Sequence, residues 1–169
     1  MANSDIVTSL KEDVIRTICG NDAFFYAISP DKKIENAGDL VNGYIFRFNK
    51  NPETIQSAIT FLTVTVDIHP RDRNLTFVKP TLTIWVYSHH NHMDFSKEES
   101  KLLGSKRRIV ESRNDYIAKM IDDTFNGMPQ GLGKLKLYSN TEGNAGSLFL
   151  YRRLIFETVD FNDSLCGDN

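Results

Sequence analysis

Two runs of the chain, ITFLTVTVDI at 59–68 and TLTIWVYS at 81–88, alternate apolar and polar residues with a period of two. Leu62, Val64, Val66 and Ile68 fall on one side of the first run, and Thr63, Thr65 and Asp67 on the other. In the second, Leu82, Ile84 and Val86 oppose Thr81, Thr83, Trp85 and Tyr87. Only extended backbone puts residues i and i+2 on one face, so each run predicts a strand with one buried side. The turn-rich HPRDRN follows the first run, so the pair predicts a long antiparallel hairpin with a wide loop. A hairpin is not stable alone, and the remaining residues must supply a layer against its apolar face.

Two stripes of helical spacing can do so. Ile6, Leu10, Val14 and Ile18 recur every four residues, Val7 widens the stripe, Ser4 caps it and Gly20 ends it. A second stripe runs through Ile109 or Val110, Tyr116, Ile117, Met120, Ile121, Thr124 and Phe125. Glu111, Asp115, Lys119, Asp122 and Asp123 lie mostly off it, and Gly127 and Pro129 end it. NDAFFYAIS predicts one more short helical turn capped by Asp22, and YIFRF at 44–48 a short strand. KLKLYS at 134–139, the turn TEGNAG and LFLYRRLIFETVDF at 148–161 predict two further strands. Leu148, Leu150, Leu154 and Phe156 share a face of the last one. Arg152 interrupts that face, which points to a bulge or an exposed edge.

This order of elements predicts an α+β fold: a single antiparallel sheet built on the long hairpin, packed by the N-terminal helix and the second long helix. The 169 residues are expected to form a single domain over 1–169, with a mobile or docking insertion at about 91–107 and a loop at about 29–43.

Charge and motifs narrow the function. With 20 basic and 22 acidic residues the net charge is -2, which leaves no broad electrostatic footprint for nucleic acid or membrane. Local clusters remain at Arg71 with Arg73, Lys106–Arg107–Arg108 and Arg152–Arg153, and solvated surface is the ordinary explanation of such clusters. Cys19 and Cys166 make no disulfide framework, so a reducing intracellular setting is the simplest reading. Cys19 ends an apolar stripe and is expected to be packed rather than reactive. The opening MANSDIVTSLKED lacks the apolar stretch of a secretory leader, and no apolar run is long enough to span a membrane. No GxSxG, Walker loop or GxGxxG occurs, and no nucleophile, base and orienting group stand together. A protein that is not an enzyme and needs no cofactor is the expectation.

The stretch SHHNHMDF at 88–95 holds His89, His90 and His92. On a continuing strand His90 and His92 share a side, Asp94 is a third donor and His89 points away. His69 belongs to the far end of the hairpin, roughly 30 Å off at strand rise. Tetrahedral zinc wants a second ligand pair, so a solvated strand exit with neutral imidazoles is preferred. A metal-binding domain or metal-dependent enzyme using residues 89–94 is the alternative. Trp85 and Tyr87 are large for a solvent face. Either a helical layer of the same domain hides them, the commoner solution, or a partner does.

SRNDYIAKMIDDTFNGMPQGLGKLKLYSN followed by LYRRLIFETVDFN resembles the end of tail-terminator and tail-completion proteins of tailed bacteriophages, with head–tail joining proteins as near relatives. The likeness is one of element order over about residues 5–162: a helix, a short strand, and a closing strand ending like Val159–Phe161. It implies a virion component assembled in the host cytoplasm, forming a ring, usually a hexamer, that terminates the tail tube and joins it to the head connector. It implies no catalytic residues, and transient contact with packaged DNA. The candidate ring contacts are Thr83, Trp85 and Tyr87 on the outward row and Phe149, Tyr151, Arg153 and Ile155 on the last strand. Plain core strand is the alternative for both. Arg71, Arg73, Arg107 and Arg108 are the candidate docking-loop residues. The long 29–43 and 91–107 segments depart from small terminators, so terminator, stopper and adaptor all stay open.

Overall fold

The hairpin forms as its alternation requires. A computed structural model describes residues 3–70, 78–130 and 133–159. Its strands are β1 (Ile45–Phe46), β2 (Thr60–Pro70), β3 (Val78–His89), β4 (Pro129–Gln130), β5 (Gly133–Ala145) and β6 (Phe149–Val159). They make a six-stranded sheet in the order β1-β2-β3-β6-β5-β4. Only β1 is parallel to its neighbour; the other pairs are antiparallel. The helices are α1 (Asn3–Cys19), α2 (Asp22–Ile28), α3 (Lys97–Leu102) and α4 (Arg113–Phe125). The fold is α+β, with the sheet built on the β2–β3 hairpin.

The core lies on one side of that sheet. Val66 pairs with Leu82 and Leu82 with Phe156, while Val64 pairs with Ile84 and Ile84 with Leu154. These cross-strand rows meet Leu10, Val14 and Ile18 of α1, Phe24 and Ile28 of α2, and Ile117, Ile121 and Phe125 of α4, all buried. Each large apolar side chain withdrawn from water here contributes about 1.5–3 kcal/mol.

Several boundaries differ from the sequence reading. The last strand is an interior strand, flanked by β3 and β5. The bulge sits instead in β5, where the register shifts between Leu137 and Ser139. Arg152 neither bulges nor marks an edge, because its guanidinium Nε donates to Asp115 Oδ1 of α4 at 2.7 Å. A charged residue on the helix side is tolerated where the helix supplies its carboxylate. TEGNAG is strand through Ala145, and Gly146 at φ 69 makes the turn that only glycine adopts cheaply. α2 is capped by Asn21, whose side chain accepts from the Ala23 N–H. α4 begins after Ser112, so Ile109 and Val110 lie outside it.

The 91–107 segment contains a folded element. Ser96 and Glu99 form a reciprocal capping box that starts α3. Arg113 then ties the segment down. Its Nε donates to His92 O at 2.8 Å, and its terminal nitrogens donate to Ala27 O, Asp94 O and Glu99 Oε1 at 2.7, 3.0 and 2.9 Å. The same guanidinium lies 4.3 Å over the Phe95 ring. Burial alone would raise the Glu99 carboxyl. Hydrogen bonds from the Ser29 side chain and the Ser96 backbone, with the Arg113 charge, outweigh it and hold Glu99 at about 2.

Candidate functional site

Strand pleating sends alternate residues to the side of the sheet away from the helices. There the sheet shows three successive cross-strand rows: Phe61–Tyr87–Tyr151–Gly143, Thr63–Trp85–Arg153–Thr141 and Thr65–Thr83–Ile155–Ser139. Phe149 extends the surface beside His89 and Ala145. The sequence-derived candidates Thr83, Trp85, Tyr87, Phe149, Tyr151, Arg153 and Ile155 therefore share one face, although they come from two strands.

The expected helical cover over Trp85 and Tyr87 is not there. Among the described residues all the helical side chains of the core pack on the opposite side. Instead Phe46, Phe61, Tyr87 and Phe149 form a second, smaller apolar cluster, with Ile55, Ile59, Trp85, Ala145 and Tyr151 against it. Phe61 and Tyr87 stack at 4.9 Å, and Tyr151 meets Trp85 edge-on at 4.9 Å. Burial, with Tyr151 beside it, pushes the Tyr87 phenol up to about 12, so it stays protonated. Gly143 leaves room for this packing: a Cβ there would stand 2.7 Å from the Tyr151 hydroxyl. Phe46 and Phe61 escaped the sequence reading. The signal for Phe61 was its odd-numbered place in the alternating run, on the side of Thr63 and Thr65.

Covered at one end, this face opens toward Trp85, Tyr151, Arg153 and Ile155, each only partly buried. Arg153 lies 5.2 Å over the Trp85 ring. Its Nε and the neighbouring Thr63 hydroxyl are buried with no hydrogen-bond partner among the described residues. Arg152, one residue earlier, faces the helices and is ion-paired to both Asp115 and Glu142. Adjacent arginines thus have opposite fates: one is neutralised inside the subunit, the other lies over an indole with no carboxylate among the described residues within ion-pair distance.

The histidines serve the fold rather than converge. His89 is buried, caps a turn over His90–His92 by accepting from the Asn91 N–H at 3.1 Å, and stacks on His90 at 4.4 Å. His92 Nδ1 lies 2.8 Å from the Thr60 hydroxyl, itself 2.7 Å from the Ser88 hydroxyl. Burial, reinforced by the Arg113 charge, lowers His92 to about 4. The expected solvated strand exit is corrected on two counts, since His89 is buried and His92 half-buried. They are drawn in because β3 ends at His89 and a tight turn over His90–His92 follows, which brings His92 back to the Thr60 hydroxyl instead of running on as strand. Among the described residues no group of three or more His, Cys, Asp or Glu side chains gathers in metal-binding geometry.

Of the docking-loop arginines, Arg107 is exposed, and Arg108 donates from Nε to Phe95 O at 2.8 Å. Arg71, Arg73, Cys166 and the strand ending at Asp160 and Phe161 lie outside the described residues. Cys19 is half-buried, and burial raises its thiol above the usual range.

Neither a search of curated proteins nor a search of solved structures gave a match. A family model does match, over residues 5–158, which takes in the helix layer but for the first two residues of α1, the hairpin and all but the last residue of β6: the chain belongs to the YomW family, a phage-derived family.

Proposed function

We propose that this chain is a structural component of a phage neck or tail. In this reading its copies form a ring that terminates the tail tube and joins it to the head connector, and it performs no reaction. The observation that carries the reading is the helix-free face of the sheet. It gathers Thr83, Trp85, Tyr87, Phe149, Tyr151, Arg153 and Ile155, of which Trp85, Tyr151, Arg153 and Ile155 are partly exposed, and it holds the Arg153 guanidinium over the Trp85 ring with no carboxylate among the described residues within ion-pair distance. Partly exposed aromatic and arginine side chains together are what protein interfaces favour. Membership of a phage-derived family supports the setting. Assembly would take place in the host cytoplasm and leave the ring in the virion, with packaged DNA passing through or near it.

Light scattering of the purified chain, with microscopy of mixtures with tail tubes, tests this. The expected result is a particle several times the 19.3 kDa chain mass, seated at a tube end. A strict monomer that never associates with tubes would end the proposal.

A further inference from the structure

The helix-free face has a complement elsewhere on the same chain. Val110 is 96% exposed, the most exposed large apolar residue among the described residues, and Glu111 beside it is exposed too. This pair is presented by a braced loop. On one side the Ile109 N–H donates to Ser100 Oγ at 3.0 Å, Ser105 Oγ donates to Arg107 O at 2.7 Å, and Arg108 is fastened to Phe95 O. On the other side Ser112 caps α4 by accepting from the Asp115 N–H. Leu103, at the base of the loop, packs with the helix-side core, so the knob belongs to the layer opposite the open face. An apolar side chain next to a carboxylate, fixed in advance, loses little freedom on docking.

We infer that the Val110–Glu111 knob of one copy docks on the helix-free face of the next. Glu111 pairs with Arg153, and Val110 covers the apolar surface of Trp85 and Ile155. Among the described residues Glu111 has no cation, and Arg153 no carboxylate, within ion-pair distance. The complementarity is of charge and of polarity at once. Because knob and face are different patches, the contact is heterologous, and repeating it closes a ring when the rotation allows. This inference rests on the ring reading above and names the contact that would build it.

Charge reversal tests it. Glu111→Arg and Arg153→Glu should each reduce the assembly to the 19.3 kDa chain at concentrations where the wild type is assembled. Thermal melting checks that both variants fold. The double variant should regain the wild-type mass, and so should a mixture of the two single variants, since each then meets the opposite charge. A single variant that keeps the wild-type mass overturns the contact while leaving the ring reading intact. So does loss in both singles with no recovery in the double variant or the mixture. A wild-type chain that stays monomeric with and without tail tubes removes the ring reading itself.

Discussion

The two sides of the sheet solve the same problem in different ways. On the helix side every row continues into another element of the subunit: Leu82, Ile84, Leu154 and Phe156 are fully buried, and Arg152 finds Asp115 on α4. On the other side the rows run from a closed aromatic cluster into partly exposed Trp85, Arg153 and Ile155. The first side is complete in one copy, and the second is complete only at one end. Parity along β3 and β6 therefore sorts side chains between the two sides, and position along the open side separates buried Tyr87 and Phe149 from partly exposed Trp85, Arg153 and Ile155.

Truncations should separate the two sides most clearly. Phe156→Ala removes a fully buried ring and should cost about 3–5 kcal/mol of folding stability in denaturant titration. Arg113→Ala should cost a similar ~3–5 kcal/mol, because Glu99 and the carbonyls of Ala27, His92 and Asp94 lose their donor. A loss below 1 kcal/mol at either position would contradict this account of the helix layer.

Acid should act through the same layer. Glu99 sits at about 2 in the folded protein against an ordinary 4.5, so its contribution is present above pH 4.5 and lost as pH falls toward 2. At about 1.4 kcal/mol per pH unit this is on the order of 3 kcal/mol. His92, at about 4 against an ordinary 6.5, binds its proton more readily unfolded, so it withdraws stability as pH falls from 6.5 to 4. Glu99→Gln should flatten the lower part of the stability profile, and His92→Gln the upper part.

Smaller effects on folding are expected across the open face. Trp85→Ala should lower monomer stability by about 1–2 kcal/mol while abolishing assembly, as read by sedimentation. The adjacent arginines give the finest comparison. Arg152→Ala should cost about 1 kcal/mol, since its ion pairs are partly exposed. Arg153→Ala should change stability by less than about 0.5 kcal/mol and act on assembly alone. If Arg153→Ala destabilised the monomer more than Arg152→Ala, the division between the sides would be wrong.

Much of this was legible in the sequence. Period-two alternation assigned Thr83, Trp85 and Tyr87 to one side of β3, and the 3.6-residue stripe marked the buried face of α4. The S-x-x-E signature at Ser96–Glu99 was also present and marks the start of α3, although it lies in a stretch that reads as an insertion. Arg113 left no such signal. Its acceptors come from α2, from the turn after β3 and from α3, and nothing in the spacing of these residues joins them. The resemblance to tail-terminator proteins rested on element order, and membership of a phage-derived family agrees with its setting.

By itself the sequence determined which residues share a side of each strand and helix, because that follows from backbone geometry within a few residues. Only the tertiary structure decided which side the helices cover, that β6 lies between β3 and β5, and that among the described residues Arg152 has a carboxylate partner while Arg153 lies over an indole. Strand order and layer choice depend on contacts between distant segments. The chain entropy of closing such loops varies only slowly with their length, so local pattern leaves these arrangements nearly equal until the side chains pack.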